Sequence, residues 1–505
     1  MSLFKRPLFA AGFSGFCALI AGAVLPFGTT AILAVLCLVT GLLGLLCRSF
    51  RKAAVCLLCT AVAAGWFLSN EVTEYRPRVA FNERTVAVHG IVIENGEIAH
   101  GVLSTTVKVT SGDLPTDTKL FIRVPFNDLS PDYGDEVSFT ATLSSETSEE
   151  ITLFDSSKAN RVFLSGWIED GEDFHLLRQD TRSFRKSVFR FRQKTADALL
   201  EELPLDVRPL LRAMCLGDKS TLEEDTVYAF RHSGVSHLLV VSGLHMSIVA
   251  MGVFGLFRKC RVSRRLSSAA ALVALWLFAL LVGFHPSVVR ACVLNTLVLS
   301  GNLFRRRADG LNSLGGGLLI LWLVNPYCVY DVGLWLSFGA TYGLLRLLPR
   351  MTTVCNDFYK THKTGKAERP LRFVSESLCV TLAATLPILP ICALVFGEIS
   401  LIAPVTNLLA VFPATVLLWS TAAGLLFNLC GFGFFAGAFR LIATLLGRAI
   451  FCGLPRFAAD SPAPYGAPMR SIVGCGLSRH SACVWCCGNG EAPRLWLWES
   501  LALWR

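Results

Sequence analysis

Residues 230–257, FRHSGVSHLLVVSGLHMSIVAMGVFGLF, are apolar enough to span a membrane, yet they carry His237, Ser242 and His245, with Gly243 beside them. Hydrocarbon offers such polar groups no partners, so in a bilayer they face a bundle interior, a pore or one another. Read as one helix, the stretch sets Ser242 and His245, three residues apart, on one face. His237 then lies about 80° from His245 at 100° per residue, on the same broad side. A pore wall explains that arc, because neutral imidazole and hydroxyl groups hydrate a path without trapping an anion. Hydrogen bonding between helices explains it as well, and both readings stay open. A Ser–His catalytic pair also needs an acid and an oxyanion donor, and the sequence names neither.

The surroundings fit a bilayer. The 505-residue chain is 53% hydrophobic and only 17% charged, against about 25% charged in soluble domains. Apolar runs lie near 8–25, 28–47 and 53–69, then near 235–257, 267–284, 287–303, 311–324, 332–348, 374–396, 401–427 and 431–454. A crossing helix needs about 20 residues, so 311–324 is marginal and the fold class is a polytopic α-helical membrane protein of about 11 spans. Lys5 and Arg6 ahead of the first run look like a signal start, but two more runs follow at once, which favours a retained helix.

Charge orients the chain. Basic clusters sit at Lys5 and Arg6, at Arg48, Arg51 and Lys52, in RKCRVSRR at 258–265, at 305–307 and in the loop 349–373; the turns at 26–28, 285–286 and 325–331 hold no Lys or Arg. Every second loop is basic, which predicts a cytoplasmic N-terminus and an extracytoplasmic stretch 70–184. Most of the eighteen cysteines, such as Cys37, Cys56, Cys292 and Cys379, lie in apolar runs, and 70–184 has none, so no disulfide framework is expected.

The stretch 70–184 reads as a small β domain inserted between helices. Val137, Phe139, Ala141 and Leu143 alternate with Ser138, Thr140 and Thr142, the period of a half-buried strand. The segments 85–93, 102–109, 118–124 and 161–169 look alike, and SGD and YGD mark turns between strands. Five or so short strands suit a small barrel or sandwich. Residues 70–175 hold eight Lys and Arg against nineteen Asp and Glu, while the remainder holds thirty-nine against eighteen. Phosphate attraction dominates nucleic-acid affinity, so this acidic domain reads as a scaffold or partner-binding unit before a DNA trap.

Several blocks in order carry a resemblance. LRAMCLGD at 211–218 precedes HSGVSHLLVVSGLHMSIV; HPSVVRACVLNTLVL and NPYCVYDVGLWLSFGATYGLL follow; LPILPICALVFGEISLIAPVTNLLAVFPATVLL closes the set. Together they resemble the ComEC-type competence family, bacterial membrane proteins that carry single-stranded DNA inward during natural transformation. The resemblance covers roughly residues 10–454. It implies N-terminal helices at 1–69, an OB-like domain at 70–184, an amphipathic connector at 185–230 and a channel core at 231–454, all in the bacterial cytoplasmic (inner) membrane. Implied partners are single-stranded DNA, membrane lipid, a separate DNA receptor and a cytoplasmic ATPase; a homo-oligomer is compatible with the sequence. No GxxxxGK[ST] sequence is present, so a motor would be another chain. Many family members end in a metallo-β-lactamase-like domain, whose His-x-His-x-Asp-His motif is absent here: no two of the nine histidines are two residues apart. No metal site, cofactor or enzymatic activity is expected. Residues 455–505, rich in Cys and Trp, read as an atypical or truncated tail.

Candidate path-lining residues are therefore His237, Ser242, Gly243, His245, Arg290, Ser337 and Asn407. Arg290 suits a phosphate contact at the pore mouth or snorkelling to the interface. Asn407 lies between Pro404 and Pro413, which with Pro387 and Pro390 suggest interrupted helices lining a cavity, or simple kinks. Gly217, Asp218, Asn325, Pro326 and Asp331 read as structural motif residues, Asp331 as a helix cap. A small-solute transporter and an intramembrane hydrolase using Ser242 and His245 are the alternative functions.

Overall fold

The computed structural model describes residues 6–459 apart from 48–49, 95, 100, 126–130, 146–152, 170–172, 179–186, 189–190, 192–202, 218–221, 306–308, 362–367, 398–399, 401 and 430. The expected tail from 460 onward, Asp218 and much of the connector lie outside the described residues.

Three helices open the chain: α1 (Pro7–Val24), α2 (Phe27–Leu46) and α3 (Arg51–Asn70). Pro7 starts the first turn of α1, where its missing N–H costs nothing, and Pro26 separates α1 from α2. A π-turn, Glu71–Tyr75, carries α3 on into α4 (Arg76–Val79). After the β region come α6 (Arg208–Leu216), α7 (Glu224–His232), α8 (Gly243–Lys259), α9 (Arg264–Val282), α10 (Pro286–Leu303) and α11 (Gly310–Val324). Then follow α12 (Val332–Arg346), α13 (Leu348–Thr361), α14 (Glu368–Phe396), α15 (Ala403–Leu429) and α16 (Gly433–Ala459).

Each apolar run of the sequence contains a helix. Among the described residues, seven segments are long and apolar enough to cross a membrane: Pro7–Val24, Phe27–Leu46, Arg51–Val79, Arg264–Val282, Leu371–Phe396, Ala403–Gly424 and Gly433–Ile450. The helices α8, α10, α11 and α12 are shorter or less apolar, and they hold much of the polar chemistry described below.

In lipid, helices gain little by burying apolar groups and associate instead by close packing of small residues. The crossing of α1 and α11 shows this. A Cβ on Gly12 would lie 2.0 Å from the Gly315 carbonyl oxygen, and one on Gly315 would lie 2.1 Å from Phe9 Cα. The two backbones therefore touch, and Trp322, 1% exposed, packs on Gly15 one turn further along.

The β unit is built from β1 (Thr85–Val92), β2 (Glu97–Ala99), β3 (Val102–Gly112), β4 (Lys119–Pro125), β5 (Glu136–Ser144), α5 (Ser156–Ala159), β6 (Val162–Trp167) and β7 (His175–Arg178). β1 pairs antiparallel with β3, β3 with β4, β4 in parallel with β6, β6 antiparallel with β5, and β5 antiparallel with β1. The ring thus closes on itself and leaves its five strands without a free edge, while β2 pairs only with β3 and β7 only with β5. Val137, Phe139, Ala141 and Leu143 all point inward and are buried, as their alternation predicts, against Val88, Leu103, Leu120, Ile122 and Leu164.

Two contacts fix opposite ends of α11. At its start, Asp309 pairs with Arg6 at 2.8 Å, beside the first turn of α1. At its end, the β unit docks on the turn 325–330. Asn325 Nδ2 donates to the Ala159 carbonyl at 2.7 Å, and Arg161 donates to Asn325 Oδ1 at 3.3 Å and to the Val324 carbonyl at 3.2 Å. The Lys158 ammonium lies 4.1 Å from the Tyr75 ring centre and 4.8 Å from that of Tyr330. Burial, more than anything else, holds this lysine below the usual ammonium range, while Glu71 and Asp155 pull the other way. The start of α1 and the β unit are therefore on opposite ends of the bundle.

Candidate functional site

The stretch 230–257 is not one helix. α7 ends at Ser233 and Gly234, and Gly234 has φ +75°. A Cβ there would come 2.5 Å from Ala403 Cβ, so the turn seats directly on the start of α15. A 3-10 turn, Ser236–Leu239, follows; it buries Leu238 and Leu239 against Phe230, Ala410 and Leu417. Residues 240–242 are extended, and α8 begins only at Gly243.

The single helical face expected for His237, Ser242 and His245 is therefore absent, for a local reason. Ser is a strong N-cap because its side chain competes with the helix for backbone groups. Ser242 holds the N-cap of α8 in extended geometry, and His245 sits at the third helical position of a capping box. His245 Nδ1 accepts the Ser242 backbone N–H at 3.1 Å and lies 3.2 Å from Ser242 Oγ. At 1% exposure, His245 faces protein and not a path.

His237 behaves differently. Its side chain is exposed. Around it the chain is pinned. Thr406 Oγ1 donates to the Ser233 carbonyl at 2.6 Å, and Ser287 Oγ donates to the Val241 carbonyl at 3.1 Å. Gly217 ends α6 with φ +72°, and its Cα faces the His285 ring, 3.4 Å from where a Cβ would stand. Asn407, one residue beyond Thr406, keeps Oδ1 buried without a partner, and Ser400 Oγ beside Gly234 is in the same state. Unsatisfied buried polar atoms are rare and mark places where water or another group completes the bonding.

Arg290 and Asp331 form a second group. Arg290 is 8% exposed on α10, and its Nη1 donates to Asp331 Oδ2 across to α12. Asp331 Oδ1 meanwhile accepts the Gly333 N–H at 2.8 Å, capping α12. Pro326 opens the short 3-10 segment Pro326–Tyr330, and Asn325 Oδ1 accepts the Tyr327 N–H at 3.1 Å. Arg290 and Asp331 stand out in the sequence for separate reasons; only the packing of α10 on α12 joins them. Gly243 ties the two groups, since its Cβ position is 3.7 Å from Ala291 Cβ. Ser337 is half-buried on α12, and its carbonyl accepts Thr341 Oγ1 at 2.8 Å.

Sequence reading missed one polar pair inside the bundle. Asn295 Nδ2 donates to Ser247 Oγ at 3.2 Å, bridging α10 and α8. An Asn in the apolar run 287–303 was the available signal, because an intramembrane amide wants a named partner. Among the described residues no group of three His, Cys, Asp or Glu is placed to hold a metal ion.

These features define a helical membrane protein with a broken polar segment at one end of its bundle and a closed β unit docked near that end. A family model described as Competence protein matches residues 214–470, half of the chain. The chain belongs to this family, of the ComEC type. It is 28% identical over 275 residues to ComE operon protein 3 of Bacillus subtilis, covering 54% of this chain and 33% of that protein. It is 32% identical over 163 residues to Competence protein ComA of Neisseria gonorrhoeae, 31% of this chain and 23% of the relative. Recombination protein 2 of Haemophilus influenzae matches at 31% over 149 residues, 28% of this chain and 19% of that protein. The chain thus spans a third or less of the length of these three relatives. No solved structure matches the chain.

Proposed function

We propose that this chain is the membrane channel part of a DNA-uptake machine and conducts one DNA strand across the bacterial cytoplasmic membrane in natural transformation. Family membership supports the process, and the open His237 within the broken segment 233–242 supports a path. Non-helical backbone at membrane depth is tolerated where it is buried in protein or lines a water-filled cavity. Here it does both. Leu238 and Leu239 are buried, while Ser236 and His237 are open.

In this reading the chain crosses about eleven times, with the N-terminus in the cytoplasm and the β unit outside. The Lys- and Arg-free turn 325–331 lies against the β unit, and the basic cluster at Arg6 lies at the far end of α11, as that orientation requires. The strand order β1-β3-β4-β6-β5, closing on β1 with one parallel pair, supports an OB-like barrel. Its acidity favours a scaffold for a DNA receptor over a direct grip on the strand. A cytoplasmic ATPase supplies the drive, and anionic lipid faces the basic loops.

The hydrolase alternative loses ground because the Ser242 and His245 contacts are used in a helix cap. The test is uptake of labelled DNA into a nuclease-protected form, in a competent host whose own channel gene is deleted. His237→Leu makes the lining apolar and should lower uptake at least about tenfold while the protein still accumulates, since removing an intramembrane polar group eases insertion. Unchanged uptake at equal abundance would sink the path assignment.

A further inference from the structure

We propose that Cys355 and Cys379 form a redox-sensitive dithiol that oxidises to a disulfide and clamps α13 onto α14. Their Sγ atoms are 3.3 Å apart, although 24 positions separate the residues in sequence, and both are free thiols. Hairpin register produces this approach. Tyr359, one turn beyond Cys355 on the same face of α13, donates to Ser375 Oγ at 3.1 Å and to the Leu371 carbonyl at 3.2 Å. Stepping four residues back along α13 and four forward along α14 carries the Tyr359–Ser375 contact to Cys355 and Cys379. Two contacts one helical turn apart thus report the same antiparallel alignment, and the thiols meet because the register puts them there.

The two positions differ in access. Cys379 is buried at 7% exposure, and Cys355 is half-buried. A hydroperoxide, small and uncharged, reaches Cys355 first. The Cys355 thiolate attacks a peroxide oxygen, the O–O bond breaks, and one water leaves as the sulfur becomes a sulfenic acid. The Cys379 thiol then attacks that sulfur, the S–O bond breaks, a second water leaves and the S–S bond forms. Two thiols lose two electrons and two protons, and one hydrogen peroxide becomes two waters. A thiol reductant reverses the step. Closing the gap from 3.3 Å to the roughly 2.05 Å of a disulfide needs only a small side-chain adjustment. The clamp would fix the amphipathic α13 against the membrane helix beside it.

The experiment treats the full chain in membranes with hydrogen peroxide, blocks remaining thiols with N-ethylmaleimide, and maps peptides without reduction. The expected product is a peptide pair joined through Cys355 and Cys379, absent after treatment with a phosphine reductant and absent in Cys355→Ser. Cys379→Ser should instead leave Cys355 trapped as a sulfenic acid or a more oxidised form. Recovery of both cysteines singly alkylated, or Cys355 joined to a different cysteine, would overturn the proposal.

Discussion

Arg290 shows how a single residue changes meaning once its neighbour is known. A guanidinium within an apolar run costs several kcal/mol to insert, and here Asp331 takes it up inside the protein. The pair is asymmetric: the Arg290 side chain is 9% exposed and that of Asp331 is 29%. Removing one partner of a buried pair typically costs about 3–5 kcal/mol, because the other charge is left without compensation. The better-hydrated partner tolerates isolation more easily. Asp331→Leu should therefore reduce membrane abundance and thermal stability in detergent more than Arg290→Leu does. It also removes the acceptor for the Gly333 N–H. The double substitution Arg290→Leu with Asp331→Asn should recover most of the loss. Equal effects from the two single substitutions would show that the pair is not the buried unit described here.

At the scale of elements, the β unit is held by a few directed contacts at one turn. Asn325 accepts from the Tyr327 N–H and from Arg161, and donates to the Ala159 carbonyl, so one amide side chain serves the 3-10 segment and the docking surface together. Each such bond is worth roughly 0.5–1.5 kcal/mol net. Asn325→Ala should loosen docking by about 1–3 kcal/mol on that scale. Hydrogen exchange in 153–169 should quicken about tenfold or more, while exchange in β1, β3 and β5 stays unchanged. Faster exchange throughout the β unit would mean instead that its fold depends on the docking. The sequence marked Asn325 and Pro326 as structural through a pattern, but the segment they serve, 156–161, is more than 160 positions away and no spacing rule connects them.

For the whole molecule, the ends of the bundle are the quantity to measure. Reporter fusions near residues 120 and 262 should place the β unit outside and the loop 258–265 in the cytoplasm. A cytoplasmic signal from the first fusion would invert the whole arrangement, because the docking of 153–161 on 325–330 carries that turn with it.

What the sequence determined by itself is the membrane nature of the chain, the apolar runs that hold its long helices, and five of the seven described strands of the β unit. These follow from composition and from periods of 2 and 3.6, which a local window displays. Val137, Phe139, Ala141 and Leu143 needed no partner to be read as inward-facing. Tertiary structure decided the rest. It broke 230–257 at Ser242, because a residue that caps one helix cannot also sit within it, and it seated the turn at Gly234 on Ala403. It paired Arg290 with Asp331, Asn295 with Ser247 and Cys355 with Cys379, since which polar groups meet in a bundle depends on helix crossing and register. Lipid enforces this division: it makes every spanning segment apolar and therefore legible, and leaves the few polar exceptions to find one another through packing.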